Sequence, residues 1–241
     1  MSVPAPDLAV PERVRALARG AAVSPVWING VGGVTFRAED DRYIKFGPLH
    51  NETSMSTEAE RLRWASAYTV VPDVLEFDDD GEDEWLVTRA LPGLSAVDPR
   101  WLLDPPTAVR AIGAGLRALH DALPVADCPF DWSVPTRIAK AAARGIHVTD
   151  ALPSPPPIDL LVVCHGDACA PNTLLDDEGR ALAHVDLGAL GVADRWADIA
   201  VAAMSTTWSY GPGWERALAD AYGIEPDEER LGYYRALWNA T

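Results

Sequence analysis

Cysteine is scarce in this 241-residue chain, which holds only Cys128, Cys164 and Cys169. An odd count without paired spacing argues against a disulfide framework and a zinc centre. Cys164 reads as a small core residue. Cys169 has no obvious base nearby in sequence, so a nucleophilic role is not expected. No apolar run approaches the ~20 residues of a membrane span. The opening stretch, MSVPAPDLAVPERVRALARG, lacks the basic-then-apolar pattern of a secretory signal, so the expected location is cytoplasmic. Positive charge is also short: 20 Lys and Arg stand against 36 Asp and Glu, a net charge of −16. Nucleic acid needs a basic surface and is not an expected partner. A small cationic molecule is compatible, because a negative field attracts it; solubility alone accounts for the charge equally well. What remains is a chain that is 48% hydrophobic, long enough for one large domain or two lobes with ample core.

The chemistry concentrates in one stretch, VVCHGDACAPNTLLDDEGRALAHVDLGALGVADRWADIA, from Val162 to Ala200. An apolar run leads into His165-Gly166-Asp167. Asn172 and then Asp186-Leu187-Gly188 follow. Thr173 to Leu175 and Leu182 to Val185 read as strands around the turn Asp176-Asp177-Glu178-Gly179. The hairpin thus carries a carboxylate before it, an amide at its mouth and a carboxylate at its exit. Phosphoryl transfer needs such a set, because it asks for positioning and charge neutralisation more than covalent chemistry. Asp167 is placed to take a hydroxyl's proton. Asn172 and Asp186 offer the hard oxygen ligands that Mg²⁺ prefers. The spacing matches the protein-kinase catalytic loop, with Gly166 for Arg and Leu187 for Phe.

HGDACAPN followed by HVDLGALGVADRWADIA resembles the aminoglycoside 3'-phosphotransferases, antibiotic kinases of protein-kinase-like fold. The resemblance covers nearly the whole chain. It implies an α+β, bilobal, protein-kinase-like fold: a nucleotide-binding lobe over 1–91, an antiparallel sheet with one helix, and a mostly helical catalytic and substrate-binding lobe over 92–241. It implies ATP and Mg²⁺ as cofactors, with the nucleotide held in the cleft between lobes. The partner is then a small molecule, expected to be cationic, and the chain a monomer or weak dimer.

Taken in order, residues 10–19 read as an amphipathic helix with Val14, Leu17 and Ala18 inward. Three strands follow over 22–47, broken at Asn29-Gly30-Val31-Gly32-Gly33 and at Asp40-Asp41. In kinases such a glycine-rich turn covers the phosphates, here through Gly32 and Gly33; glycines after Asn also make ordinary hairpins. Lys45 lies between Ile44 and Phe46, costly on a sheet unless paired. The kinase reading pairs it with the phosphates and with a glutamate on the helix over 56–66. Glu58 and Glu60 both qualify, and alignment with the family selects Glu58. Two more strands, 70–77 and 84–87, complete a five-stranded antiparallel sheet. By resemblance, Thr88, Arg89 and Leu91 form the adenine pocket, the last two through backbone groups.

Residues 106–122 carry Val109, Ile112, Gly113, Leu116 and Leu119 at helical spacing, with His120 as a structural residue near the end. Helices are also expected over 134–143, from Ala193 to Ser205, and over 212–222 and 226–238. The proline-rich stretch before Leu160 reads as a loop. By resemblance, Asp198 supports the backbone of the catalytic loop, and His165 stands behind it with Asp198.

The nucleotide side follows the family and the acceptor side departs from it. The segment between CPFDW and HGD is short for the family, and Ala189 and Met204 stand where it has arginines. Trp208, Tyr210, Trp214 and Trp238 either pack the terminal helices or make the acceptor pocket more aromatic. Three readings follow: an aminoglycoside kinase, a kinase for a metabolite or another antibiotic, and a nucleotide-binding module without transfer activity.

Overall fold

The computed structural model describes residues 4–5, 8–30, 32–49, 54–148 and 152–241. Val31 of the glycine turn and residues 149–151 of the proline-rich loop lie outside these. The chain divides into two compact units, one of residues 1–67 and 71–92 and one of 68–70 and 93–241. Among the described residues, no helix is long and apolar enough to cross a membrane.

The first unit runs α1 (Glu12–Ala18), β1 (Val23–Ile28), β2 (Val34–Ala38), β3 (Arg42–Pro48), α2 (Met55–Ala65), β4 (Val74–Asp79) and β5 (Asp83–Arg89). The strands form one antiparallel sheet in the order β1-β2-β3-β5-β4. Alternation of apolar residues sends Phe36, Ile44, Trp85 and Val87 to one face, where they pack with Val14, Leu17 and Ala18 of α1. Arg42 of β3 ties that helix down. Its guanidinium donates to the Leu17 and Ala18 carbonyls at 2.9 Å each, filling acceptors that the helix end leaves open.

The second unit begins with β6 (Leu94–Ser95), α3 (Pro99–Leu102), α4 (Pro105–Ala122) and α5 (Val134–Ala143). It continues with β7 (Leu161–Cys164), β8 (Thr173–Leu175), β9 (Ala181–His184), β10 (Gly191–Asp194), α6 (Trp196–Tyr210), α7 (Glu215–Tyr222) and α8 (Glu228–Ala240). Asp104 caps α4 by accepting the Thr107 N–H, and Val109, Ile112, Leu116 and Leu119 form its buried stripe. Gly113 lets α7 approach closely; a Cβ there would lie 2.6 Å from the Leu218 carbonyl oxygen and 2.8 Å from Ala221 Cβ. Gly223 ends α7 with φ of 87°, a left-handed cap.

Helix boundaries differ from expectation: α6 runs on to Tyr210, past the expected Ser205, and α7 starts at Glu215 rather than at 212. The helix expected from Ala193 starts at Trp196, and Gly191–Asp194 is a strand antiparallel to β7. Asp194 enforces the break, because its carboxylate accepts the N–H groups of Trp196 (3.1 Å) and Asp159 (2.8 Å). Strand β6, which pairs with β8, also escaped the reading, since two residues show no period.

The Gly113 contact sets a measurable cost. Gly113→Ala should destabilise the protein by about 1–3 kcal/mol through overpacking against α7, seen as a thermal midpoint lowered by several degrees. An unchanged midpoint would mean that α7 yields freely.

Candidate active site

In the first unit, Lys45 projects from β3 and Glu58 from the first turn of α2. The Lys45 ammonium donates to both Glu58 carboxylate oxygens, at 2.8 and 2.7 Å. The Glu58 side chain is 9% exposed and that of Lys45 25%, so the pair is shielded but reachable. Glu60, the other candidate, faces solvent. A residue that sequence reasoning missed, Glu84 on β5, anchors the helix: it is buried and its carboxylate accepts the Met55 N–H at 2.7 Å. An acid at a strand position in the sequence carries no sign that a helix will start against it.

The glycine turn folds on itself. The Gly33 N–H donates to the Asn29 side chain at 2.7 Å, and the Asn29 N–H to the Gly33 carbonyl at 2.9 Å. Gly32 has φ of 90°, and a Cβ on Gly47 would lie 2.6 Å from Gly33 Cα. The turn therefore sits directly on β3, where only glycine fits on either side. At the end of β5, Thr88 is buried, and the N–H groups of Arg89 and Ala90 are held by the carbonyls of Asp73 and Asp41. Leu91 lies just beyond the strand.

In the second unit, β7 delivers His165, Gly166 and Asp167. Gly166 has φ of 80°, and a Cβ there would collide with the Ala189 carbonyl and with Trp132, whose indole N–H donates to the Gly166 carbonyl at 3.2 Å. No larger residue fits this turn. Asp198, in the first turn of α6, is fully buried and accepts the N–H groups of His165 (2.6 Å) and Gly166 (2.9 Å). His120 of α4 approaches the same carboxylate at 3.0 Å through Nε2, while its Nδ1 lies 2.8 Å from the Tyr222 hydroxyl. Burial pushes the Asp198 carboxyl up, but His120, His165 and the Gly166 N–H outweigh it and hold it below the usual carboxylate range. His120, Cys164 and Asp198 have ligand atoms within 4.8 Å of one another. Since His120 already engages Asp198 and Tyr222, this trio reads as an internal hydrogen-bond relay.

His165 joins the loop to the hairpin. Its Nε2 faces the Val185 carbonyl at 3.0 Å, and its Nδ1 faces the Asp167 N–H at 3.3 Å, so Nε2 carries the proton. The Val185 N–H in turn donates to the Asn172 carbonyl at 3.0 Å. Asn172 gives its amide N–H groups to the Asp167 carbonyl (2.9 Å) and to Asp167 Oδ2 (3.3 Å), which leaves its amide oxygen as the end able to serve a cation. Asp167 Oδ1 is shielded from solvent without a hydrogen-bond partner among the described residues. Burial raises the Asp167 carboxyl above its ordinary range, against the Cys169 thiol beside it, and the Asp186 charge raises it further. Asp186 is exposed and adopts φ of 63°, a left-handed conformation that costs of order 1–3 kcal/mol outside glycine.

The structure thus brings Asp167, Asn172 and Asp186 to one hairpin with His165 and Asp198 behind them. Two carboxylates that repel each other, one with a shielded and unsatisfied oxygen, and an amide oxygen make a hard-oxygen set that fits Mg²⁺. Sequence reasoning missed Trp132, Ser205, whose hydroxyl accepts the Ala170 N–H at 2.8 Å, and Tyr222. It also passed over the fact that Lys45 is one of only two lysines in the chain. Of the four acceptor-side aromatics, Tyr210 donates to the Ala96 carbonyl and Trp214 to the Tyr210 carbonyl, so both serve packing. Trp238 flanks Arg137, and Trp208 is 61% exposed.

This fold and hairpin are those of a kinase that transfers phosphate to an alcohol. The profile of the phosphotransferase enzyme family matches residues 23–234, and the chain belongs to that family. It is 35% identical to an aminoglycoside 3'-phosphotransferase of Streptomyces fradiae, over 83% of this chain and 85% of that protein. It is 36% identical to a streptomycin 3''-kinase of Streptomyces griseus, over 86% and 87%. Among solved structures it is similar to an aminoglycoside phosphotransferase of Streptomyces rimosus in complex with ADP and streptomycin. The TM-score is 0.72 at 27% identity, over 95% of this chain and 96% of that one.

Asp167 and Asp198 titrate in opposite senses. Asp198, held low, lends stability above the ordinary carboxylate value of 3.8 that is lost as pH falls through its folded-state value. Asp167, held high, costs stability while ionised, and the cost is gone below 3.8. Asp167→Asn should therefore melt higher than the parent protein at pH 7, with the gap closing in acid. A series of thermal melts checks this; a gap that is absent at pH 7, or constant with pH, contradicts it.

Proposed function

We propose that this phosphotransferase moves the γ-phosphate of ATP to a hydroxyl of an aminoglycoside. The observation that carries the reading is the Asp167–Asn172 contact on a hairpin that ends in Asp186. It supports a carboxylate base held beside two oxygen ligands, within a family whose relatives at 35–36% identity bear aminoglycoside and streptomycin kinase names. Asp167 orients the acceptor hydroxyl and takes its proton. Its raised proton affinity brings it closer to the task than an ordinary carboxylate. Asn172 and Asp186 hold Mg²⁺, which when bound neutralises charge on the transferring phosphoryl group. Lys45, oriented by Glu58, grips the nucleotide phosphates, with Gly32 and Gly33 covering them and Thr88, Arg89 and Leu91 lining the adenine pocket. Asp198 and His165 keep the loop in shape, so that positioning and fixed charge supply most of the catalysis. We place the activity in the cytoplasm, where ATP is available.

Ala189 and Met204 favour a second reading, because they remove two arginines from the acceptor side: the same transfer to a different small molecule. An ADP-release assay over a panel of aminoglycosides that includes streptomycin tests the choice. Turnover with at least one aminoglycoside is expected, and none with any of them rejects the first reading. Asp167→Ala should lower kcat by about 10²–10⁴-fold while ADP affinity, measured calorimetrically, stays nearly unchanged. Lost ADP binding with retained turnover would invert the assigned roles.

A further inference from the structure

Helix α2 carries Glu58, and its own sequence does not close its first turn. Ser54 stands at the N-cap, a residue type suited to satisfying the first N–H groups of a helix, yet its side chain caps none of them. The capping oxygen comes instead from β5. Glu84, only 1% exposed, accepts the Met55 N–H at 2.7 Å and the Ser54 hydroxyl at 3.4 Å on one carboxylate oxygen. A carboxylate there also meets the positive end of the helix dipole. With 11 residues, α2 is too short to hold its place without tertiary contacts.

The register of the sheet puts this carboxylate on the side of Lys45. Strands β3 and β5 pair Lys45 with Leu86 and Gly47 with Glu84. Side chains alternate along a strand, so Lys45, Glu84 and the Cβ direction of Gly47 share one face, opposite to Ile44, Trp85 and Val87. The glycine turn lies against that face, with Gly33 Cα 2.6 Å from where a Gly47 Cβ would stand. Two ties on the same face reach the first turn of α2. Glu84 accepts the Met55 N–H, and Glu58 accepts from Lys45 Nζ at 2.8 and 2.7 Å. Met55 and Glu58 are three residues apart and lie on one side of the helix, so displacing the first carries the second with it.

We infer that Glu84 is a positioning residue for the nucleotide: by holding the start of α2 it sets Glu58 against Lys45, and so keeps the ammonium where the phosphates of a nucleoside diphosphate meet it. Glu84 acts through the helix and touches no phosphate itself. The inference rests on the reading of Lys45 as the phosphate grip. It does not depend on the identity of the acceptor.

Calorimetric titration of the full chain with ADP and Mg²⁺, run as a double-mutant cycle, tests it. Glu84→Leu fills similar space without an acceptor and should weaken ADP binding by about tenfold, as loss of a hydrogen bond to a charged group does. Glu84→Gln keeps an acceptor oxygen for the Met55 N–H and should bind within about threefold of the parent protein. In a Lys45→Met background the loss caused by Glu84→Leu should vanish, because residues that act through one another are not additive. A role in stability alone would lower the thermal midpoint and weaken ADP equally in both backgrounds. Glu84→Ala takes the place of Glu84→Leu if that variant melts near the working temperature. Unchanged affinity without the Glu84 acceptor, a Glu84→Gln no better than Glu84→Leu, or an equal loss with and without Lys45 overturns the inference alone. Parent-like ADP affinity in Lys45→Met overturns the phosphate grip, and the inference falls with it.

Discussion

The second unit is built around one buried carboxylate. Asp198 has no solvent, yet it stays ionised because two backbone N–H groups and the His120 ring face it. A buried charge is tolerable only when paired and hydrogen-bonded, and breaking such an arrangement costs about 3–5 kcal/mol. Its position in the first turn of α6 adds the favourable end of the helix dipole. Through this residue α4, α6 and α7 are fastened to the turn that presents Asp167. The packing of three helices and the aim of the His165–Asp167 turn are therefore one constraint.

Asp167 and Asp186 are the opposite case, groups left uncomfortable. One is a shielded carboxylate with an unsatisfied oxygen, and the other sits in a backbone conformation that L-residues avoid. Such strain persists only where the surroundings over-determine it. Here His165, Val185 and Asn172 close the base of the hairpin with bonds from both sides. The stability supplied around Asp198 offsets the frustration held at Asp167 and Asp186. Under the proposed function, a cation brought with a nucleotide would relieve the repulsion between them.

Much of this was legible before any coordinates. The spacing from His165 to Asp186 located the hairpin, because a short catalytic ribbon keeps its chemistry within one local segment. Helix α4 and strands β1 to β3 followed from periodicity, which is also local. Two things were not legible. Strand β10 has no periodic signal and is held by β7 on one side and the Phe130–Trp132 backbone on the other. Glu84, His120, Trp132 and Tyr222 act on elements 29 to 102 residues away in sequence, through contacts that spacing does not encode.

The sequence by itself determined the chemistry: hard oxygens at kinase-like intervals, a lysine stranded on an apolar strand, and a large excess of acidic residues. These are statements about residue type and local order, which a linear string contains. Tertiary structure alone decided which tautomer His165 holds, and that His120 links the buried Asp198 to the Tyr222 hydroxyl. Each depends on distances across the fold, where burial fixes the cost of a charge or an unmade hydrogen bond.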